Sequence, residues 1–164
     1  MALFDEQLVD EWLNRKNYFT MRGIKVGVDE IDLLAIKYID GLIEFKHVEV
    51  QVSYNPIGYV GGDTSAKRRT AEEVKIGVKL WVDKKFTSVR KVQKRNAIIP
   101  NANWEYVFVH GVLRDKTELD YMRELGVQTV AYRDILDFLR TDKTNQSSSI
   151  ASNIVEMLKF MQDK

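Results

Sequence analysis

Hydrophobic residues along the chain follow two spacings, one typical of helices and one typical of strands. Leu8, Val9, Trp12 and Leu13 recur at intervals of three and four residues, which predicts an amphipathic helix over about 3–17. Further helices are predicted from between Thr64 and Thr70 to about Phe86, over 118–125, over 134–140 and over 150–162, with a basic turn or short helix over 87–96. Strands are predicted over 18–22 and 24–26, interrupted at Gly23, and over 31–38, 42–53, 104–110 and 127–131. The order α-β-β-β-α-β-α-β-α predicts an α/β protein with a central mixed sheet flanked by helices.

The second and third strands bring two acidic residues together. The second strand is apolar on both faces, but Asp32 lies at its start. A tight turn at Asp40-Gly41 connects the two strands, and alternation along the third strand puts Glu49 on the face opposite to the one that carries Val50. A buried carboxylate is costly unless a cation or a donor compensates it. The two carboxylates therefore predict a divalent metal held by oxygen ligands, with the carbonyl of Val50 as a third ligand.

Other acidic residues lie near this pair in the sequence. Glu6, in the first helix, can reach the same corner directly or through a bound water. Asp29 and Glu30 are interpreted as turn residues before the second strand. A loop marked by Pro56, Gly58, Gly61 and Gly62 follows the third strand.

Composition excludes several kinds of site. The 164 residues contain no cysteine and two histidines, which excludes thiolate catalysis, cysteine-based zinc sites and three-histidine metal sites. The first residues are acidic and do not resemble a signal peptide, and no stretch approaches the length of a membrane span. We therefore expect a cytoplasmic protein with no membrane contact.

Charge is distributed unevenly, although the net charge is only +1. Residues 1–50 carry ten acidic residues against six Lys or Arg, whereas residues 67–95 carry eleven Lys or Arg against three acidic residues. An acidic site beside a basic segment suits a protein that binds a metal and a polyanion, although a solvated basic helix is the simpler alternative. The candidate phosphate contacts are Lys67, Arg68, Arg69, Arg90, Lys91, Lys94 and Arg95.

Two segments resemble the signature of the PD-(D/E)XK, or restriction-endonuclease-like, nuclease superfamily: Ile31-Asp32-Leu33-Leu34-Ala35-Ile36 and Val48-Glu49-Val50-Gln51-Val52. In that signature an Asp at a strand start is followed by Glu-x-Lys on the next strand. The predicted order of elements over residues 3–131 is similar to the superfamily core. Glu6 is similar to the acidic helix residue of many members, including archaeal Holliday-junction resolvases. The resemblance implies a restriction-endonuclease-like core in which Asp32, Glu49 and the carbonyl of Val50 hold Mg²⁺, for which Mn²⁺ can substitute.

One position departs from the signature. Gln51 stands where the superfamily has a lysine that orients or activates water and neutralises charge. A minority of type II restriction enzymes look similar in carrying Gln here, which implies that Gln51 orients the attacking water. The missing charge would come from the metal or from another residue, and Lys67 and Arg68 are candidates, since lysine migration to that helix is known in the superfamily. Otherwise the chain is an inactive nuclease that only binds nucleic acid.

The predicted function is a Mg²⁺-dependent endonuclease that hydrolyses DNA, with Asp32, Glu49, Gln51 and Glu6 as its catalytic residues. Because duplex cleavage needs two active sites, we expect a homodimer, with helix 150–162 either in its interface or capping the sheet. That helix follows a polar linker over 142–149, and residues 1–141 form the nuclease-like domain. Two alternatives stay open: an inactive nucleic-acid-binding domain of the same fold, and a non-enzymatic interaction module of a defence or mobile-element system.

Overall fold

The computed structural model describes residues 2–54, 58–60, 67–144 and 149–162. The helices are α1 (Ala2–Arg15), α2 (Ala71–Val82), α3 (Val89–Ile98), α4 (Thr117–Glu124), α5 (Tyr132–Thr141) and α6 (Ile150–Gln162). The strands are β1 (Phe19–Val26), β2 (Asp29–Ile39), β3 (Leu42–Gln51), β4 (Trp104–His110) and β5 (Val127–Ala131). A short π-helix, Asp83–Thr87, lies between α2 and α3. Among the described helices, none combines the length and the apolar character that crossing a membrane requires.

The five strands form one mixed sheet in the order β1-β2-β3-β4-β5. Strands β1, β2 and β3 pair antiparallel, as expected for strands joined by tight turns, whereas β3, β4 and β5 are parallel to one another. The parallel pairs need helical crossovers, which α2, the π-helix and α3 supply between β3 and β4, and α4 supplies between β4 and β5. The predicted α/β architecture with a mixed sheet is confirmed.

Helices cover both faces of this sheet. On one face, α1, α5 and α6 pack over a buried cluster that includes Leu33, Val48 and Val50. On the other face, α2 and α4 pack over a second cluster that includes Phe86 and Phe108. The predicted alternation along the third strand is thus confirmed, because its valines lie under α1 whereas His47 and Glu49 face the side of α2 and α3.

Several predicted boundaries are wrong in ways that affect the site. Strand β1 continues through Gly23, which adopts a left-handed conformation with φ of 61° that only glycine takes at little cost. Strand β2 begins at Asp29, so that Asp29 and Glu30 belong to the strand rather than to a turn and Asp32 is its fourth residue. Strand β3 ends at Gln51. In the predicted glycine loop, Pro56, Gly61 and Gly62 lie outside the described residues, as do residues 145–148 of the predicted linker.

The basic segment after α2 is more regular than its sequence predicted. The helical stripe Val74, Val78, Trp81, Val82 and Phe86 is buried as expected. After Val82 the backbone changes to a π-helix, and Ser88 separates it from the ten-residue helix α3. Phe86 is fully buried and stacks on Tyr106 with ring centroids 5.0 Å apart, which anchors the π-helix against β4. This anchor sets the position of the neighbouring Lys85.

Candidate functional site

Asp32 bridges the ends of two neighbouring strands. The ladder between β2 and β3 runs from the Ile39–Leu42 pair to the Leu33–Val48 pair. Beyond this last pair, the backbone N–H of Val50, two residues after Val48, donates to Asp32 Oδ2 at 2.7 Å. The side chain of Asp32 therefore takes the place of a backbone acceptor, and this contact fixes its carboxylate between the two strands.

Three carboxylates converge at this point. Glu6 of α1 and Glu30 and Asp32 of β2 each offer one oxygen, and these oxygens all lie within 4.8 Å of one another. Glu6 and Asp32 are buried and Glu30 is half-buried. The structure therefore brings Glu6 to the corner where the sequence predicted it. Glu30 was missed, although it precedes Asp32 by two residues and side chains at that spacing share a face of a strand.

The electrostatics of this cluster favour a cation. Burial, and then the negative charge of Glu49, raise the pKa of Asp32 to about 7, against the opposing effect of the Val50 N–H. Burial, and then the charge of Glu30, raise the pKa of Glu6. Oxygen ligands without nitrogen or sulfur form the donor set that Mg²⁺ prefers, so the chemistry of these three side chains fits a divalent cation.

The raised pKa of Asp32 predicts how the metal-free protein responds to pH. The ordinary pKa of an aspartate is 3.8, and the pKa of Asp32 in the fold is about 7. The fold therefore favours the protonated form of Asp32. The stability that this form contributes is complete below pH 3.8 and is lost as the pH rises through about 7. Asp32→Asn keeps an oxygen for the Val50 N–H but carries no charge. We expect the free energy of unfolding of this variant to exceed that of the wild type by roughly 3–4 kcal/mol at about pH 8 but not at about pH 4.

Urea denaturation in the presence of a chelator measures this difference at each pH. Asp83→Asn is a matched control, because a hydrogen bond from Lys79 holds the pKa of Asp83 below its ordinary value. That variant should therefore lose stability at neutral pH rather than gain it. An Asp32→Asn variant that tracks the wild type at every pH would contradict the buried, protonated state.

Glu49 lies beside the three carboxylates but is held by cations. It is 1% exposed. Lys85 Nζ donates to its Oε2 at 3.0 Å, and Lys91 Nζ donates to its Oε1 at 2.9 Å. Burial raises the pKa of Glu49, but the hydrogen bond from His47 and the charges of the two lysines outweigh this effect and bring the pKa below its ordinary value. Glu49 is therefore an ionised carboxylate in the interior.

A chain of hydrogen bonds runs from Arg95 through His47 to Glu49. Arg95 donates to His47 Nδ1 at 2.7 Å, and since a guanidinium cannot accept, the imidazole proton lies on Nε2. Nε2 in turn lies 2.8 Å from Glu49 Oε1 and donates to it. Arg95 also donates to the carbonyl of Phe86 at 2.6 Å. Burial lowers the pKa of His47, so the histidine acts as a neutral donor and not as a second cation.

Two predicted phosphate contacts are therefore wrong. Lys91 is 0% exposed and Arg95 is 3% exposed, and both point into the sheet, where they bind Glu49 and His47. Their spacing of four residues puts them on one face of α3. Arg90 and Lys94 are exposed at the side of the same helix. Half of the basic residues predicted on this helix are thus interior groups.

The other predicted phosphate contacts are not buried. Two adjoining clefts lie between the β1–β2 turn and α3, and their basic lining residues are Lys25, Lys84, Arg90 and Lys94. Lys67 and Arg68 are exposed and precede α2. Arg69 stacks its guanidinium on the ring of Tyr59, with 5.0 Å between the guanidinium carbon and the ring centroid.

Gln51 is the last residue of β3, is half-buried and pairs with His110 of β4. The cations that contact Glu49 come from the π-helix and α3, rather than from the segment before α2 that contains Lys67 and Arg68. Lys85 keeps its charge, because Glu49 and Asp32 raise its pKa by more than burial lowers it. It was missed as a site residue, although it follows the buried Trp81 by four residues and Val82 by three, a spacing that places it on the inward side of a continued helix.

Comparison with known proteins gives a likeness of fold alone. No protein-family model matches the chain, and no curated protein matches it. A solved structure named "Crystal Structure of Protein of Unknown Function AF1548" is similar, with a TM-score of 0.53 and 13% sequence identity. The match covers 89% of this chain and 73% of that chain. It indicates a shared α/β architecture.

Proposed function

We propose that this chain is a metal-dependent DNA endonuclease with a restriction-endonuclease-like core. The observation that carries the proposal is the convergence of Glu6, Glu30 and Asp32 beside Glu49 and the ammonium group of Lys85. Metal-assisted phosphodiester hydrolysis needs oxygen ligands that hold a divalent cation and a positive charge that stabilises the negative charge of the phosphate. Both requirements meet at this end of β2 and β3.

Asp32 is the central metal ligand in this proposal, because it belongs to the carboxylate cluster and also accepts a hydrogen bond from the backbone of β3. Glu6 and Glu30 are its neighbours in the cluster. Glu49 and the carbonyl of Val50 are the further ligands that the superfamily resemblance implies. When bound, Mg²⁺ would polarise the scissile phosphate and activate water for attack.

The positive charge that Gln51 lacks is assigned to Lys85. Its Nζ lies 3.0 Å from Glu49 Oε2, and its side chain is partly exposed, so a phosphate that approaches the carboxylates meets this ammonium group. Lys91 is completely buried and holds Glu49 without reaching the substrate. Gln51 carries an amide that can orient water by hydrogen bonds but cannot neutralise charge.

The two clefts beside α3 suit the DNA backbone, because basic side chains line both of them. Lys84 and Arg90 line a cleft that Asp29 also lines, and Lys25 and Lys94 line the adjoining one. Lysine and arginine contacts to phosphate fix the position of a duplex without reading its sequence. Binding of DNA here would place a phosphate near Lys85, since Lys84 and Lys85 are neighbours in the π-helix.

The test is cleavage of supercoiled, linear and branched DNA by the purified protein with Mg²⁺, with Mn²⁺ or with a chelator. The proposal expects cutting that requires the metal, and the preferred substrate would define the class of nuclease. Binding of all three substrates without cutting in either metal would overturn the enzymatic proposal.

One observation favours a second candidate, a DNA-binding domain that has lost catalysis. Both oxygens of Glu49 are engaged by lysines, so this carboxylate is already neutralised without a metal. That candidate predicts salt-sensitive DNA binding that is unaffected by Mg²⁺ or chelator.

Replacing Lys85 separates the two candidates further. We expect Lys85→Gln to lower the cleavage rate about 100-fold, the loss typical of removing one donor that stabilises transition-state charge, while DNA affinity stays close to that of the wild type. Lys85→Arg should retain part of the rate because it keeps the charge. Single-turnover cleavage and filter binding measure the two quantities.

Lys79→Gln is the matched control for Lys85→Gln. Lys79 is an exposed lysine of α2 that pairs with Asp83, so its removal should leave the cleavage rate unchanged. Equal rates for Lys85→Gln and the wild type would remove Lys85 from the mechanism.

A further inference from the structure

Helix α6 exposes an apolar surface that nothing in the described chain covers. Its large exposed hydrophobic residues are Ile150 (70% exposed), Met157 (54%), Leu158 (43%), Phe160 (72%) and Met161 (67%). Together they leave roughly 600 Å² of mostly apolar surface on one side of the helix, at the upper end of what a monomer exposes in one patch. Each partner of a standard protein interface contributes about 800 Å², so this patch would supply most of the area that one partner needs.

The opposite side of α6 is firmly attached to the domain. Ala151 and Val155 are buried in the cluster under α1 and α5. Arg15 donates to Ser152 Oγ at 3.2 Å, and Lys159 Nζ donates to the carbonyl of Asp142 at 2.5 Å. The helix is therefore held in one orientation, with its second apolar side turned outward.

The outward side has the spacing of a coiled-coil seam. Ile150, Ile154, Met157 and Met161 are separated by four, three and four residues. Side chains at these intervals form the stripe by which two helices pack against each other. Ile154 is half-buried and the other three are exposed, so the stripe is available over the full length of α6.

We propose that α6 is the interface of a homodimer in which the stripe Ile150–Ile154–Met157–Met161 packs against the same stripe of a second copy. A surface of this kind is self-complementary, as a two-fold interface requires. Phe160 and Leu158 flank the stripe on either side and enlarge the apolar contact. The stripe itself contains no charge, so two identical copies meet without repulsion.

The charges of α6 disfavour a lipid surface as the occupant. Helices that lie on membranes carry a polar face rich in lysine and arginine. The sequence of α6 contains a single basic residue, Lys159. Its ammonium group is already bound to Asp142 and to Glu156 Oε1, the latter at 3.1 Å.

Light scattering coupled to size-exclusion chromatography tests the dimer. The wild type should have twice the chain mass of 19.1 kDa at micromolar concentration, and the Met157→Glu/Met161→Glu double variant should have the mass of one chain. Because both side chains are exposed, the variant should keep the circular dichroism spectrum of the wild type. A monomeric wild type, or a double variant that stays dimeric, would overturn the proposal.

Ile76→Glu/Leu80→Glu is the matched control. These two residues of α2 are also exposed and lie four residues apart, so the control introduces the same charges into an unrelated apolar patch. It should remain dimeric. Dissociation by the control and not by the α6 variant would place the interface on α2 and refute the assignment.

A cross-link gives an independent test, because the chain has no cysteine. Met157 lies near the middle of α6. Two copies of the helix bring this position close to its counterpart whether they pack parallel or antiparallel, so Met157→Cys is a suitable cross-linking variant. Disulfide formation requires Cα atoms about 4.4–6.8 Å apart. Mild oxidation should yield a covalent dimer for Met157→Cys and not for Leu80→Cys. The absence of this cross-link, or equal cross-linking in the two variants, would contradict the proposed interface.

Discussion

Replacing Asp32 with asparagine is expected to reduce the proposed metal-dependent cleavage of DNA by about a thousandfold or more. Asp32 joins the carboxylate cluster to β3, so the change removes one negative charge from the point where a divalent cation would bind. A metal ion supplies several kcal/mol of charge stabilisation in the transition state. Loss of about 4 kcal/mol corresponds to a thousandfold decrease in rate.

This loss can be separated from a loss of folding. The asparagine side chain keeps an oxygen that can accept from the Val50 N–H, the contact that holds this corner together. Since burial disfavours the charged form of Asp32, the metal-free variant should be more stable than the wild type at neutral pH. A variant that is inactive and more stable has lost a metal ligand, because an unfolded variant would be inactive and less stable.

The measurement is single-turnover cleavage of DNA as a function of Mg²⁺ and Mn²⁺ concentration, together with thermal unfolding with and without metal. Asp120→Asn, in an exposed ion pair with Arg123, should cleave like the wild type. If Asp32→Asn cleaves at the rate of the wild type, Asp32 does not hold the catalytic metal. If Asp32→Asn alters only the stability of the fold, and neither the variant nor the wild type acts on nucleic acid, the carboxylates are structural. The interaction-module alternative is then favoured.

The local pattern of the sequence predicted which residues of β2 and β3 meet at this corner of the sheet. A tight turn and strict alternation determine which residues of β2 and β3 face one another, so the proximity of Asp32 and Glu49 follows from spacing alone. The contact between Asp32 and the Val50 N–H is consistent with that prediction. Glu6 was predicted at this corner from its place in the first helix and from the superfamily resemblance, and the structure brings one of its oxygens within 4.8 Å of an Asp32 oxygen.

Glu30 and Lys85 were missed, for different reasons. Glu30 lies in a run of acidic residues whose composition is typical of turns, and only pairing with β1 extends the strand to include it. Lys85 follows Trp81 by four residues and Val82 by three, so helical spacing already places it on the buried stripe, where a lysine is not expected without a partner. Helical periodicity correctly predicted that Phe86 is buried, but it gave no indication that Lys85 reaches Glu49.

The interior of α3 is the least predictable part of the site. A helix with as many basic residues as apolar ones is expected to turn its basic residues to the surface, because charged side chains are rarely buried without partners. Lys91 and Arg95 are buried because Glu49 and His47 on β3 accept their hydrogen bonds. These hydrogen bonds join residues more than 40 positions apart in the chain. A local sequence pattern therefore cannot predict that Lys91 and Arg95 are buried.

Lys91→Met is expected to lower the free energy of unfolding by about 3 kcal/mol. Lys91 is completely buried and its ammonium group donates to Glu49 Oε1 at 2.9 Å. Methionine has a similar length and packs well, but it leaves an ionised carboxylate in the interior with one fewer cation. Breaking a buried ion pair by removing one partner costs about 3–5 kcal/mol, and the low end applies because Lys85 and His47 remain bound to Glu49.

Urea denaturation followed by circular dichroism measures this effect, and two further variants establish its origin. Lys94→Met alters an exposed residue of the same helix and should change stability by less than about 0.5 kcal/mol. In a Glu49→Gln background, Lys91→Met should cost clearly less than it does in the wild type, because residues that contact each other are not additive. Equal costs in the two backgrounds would show that Lys91 stabilises α3 by packing alone. Glu49 would then depend on Lys85 for its charge balance, and the cation assigned to the phosphate would be needed to hold the fold.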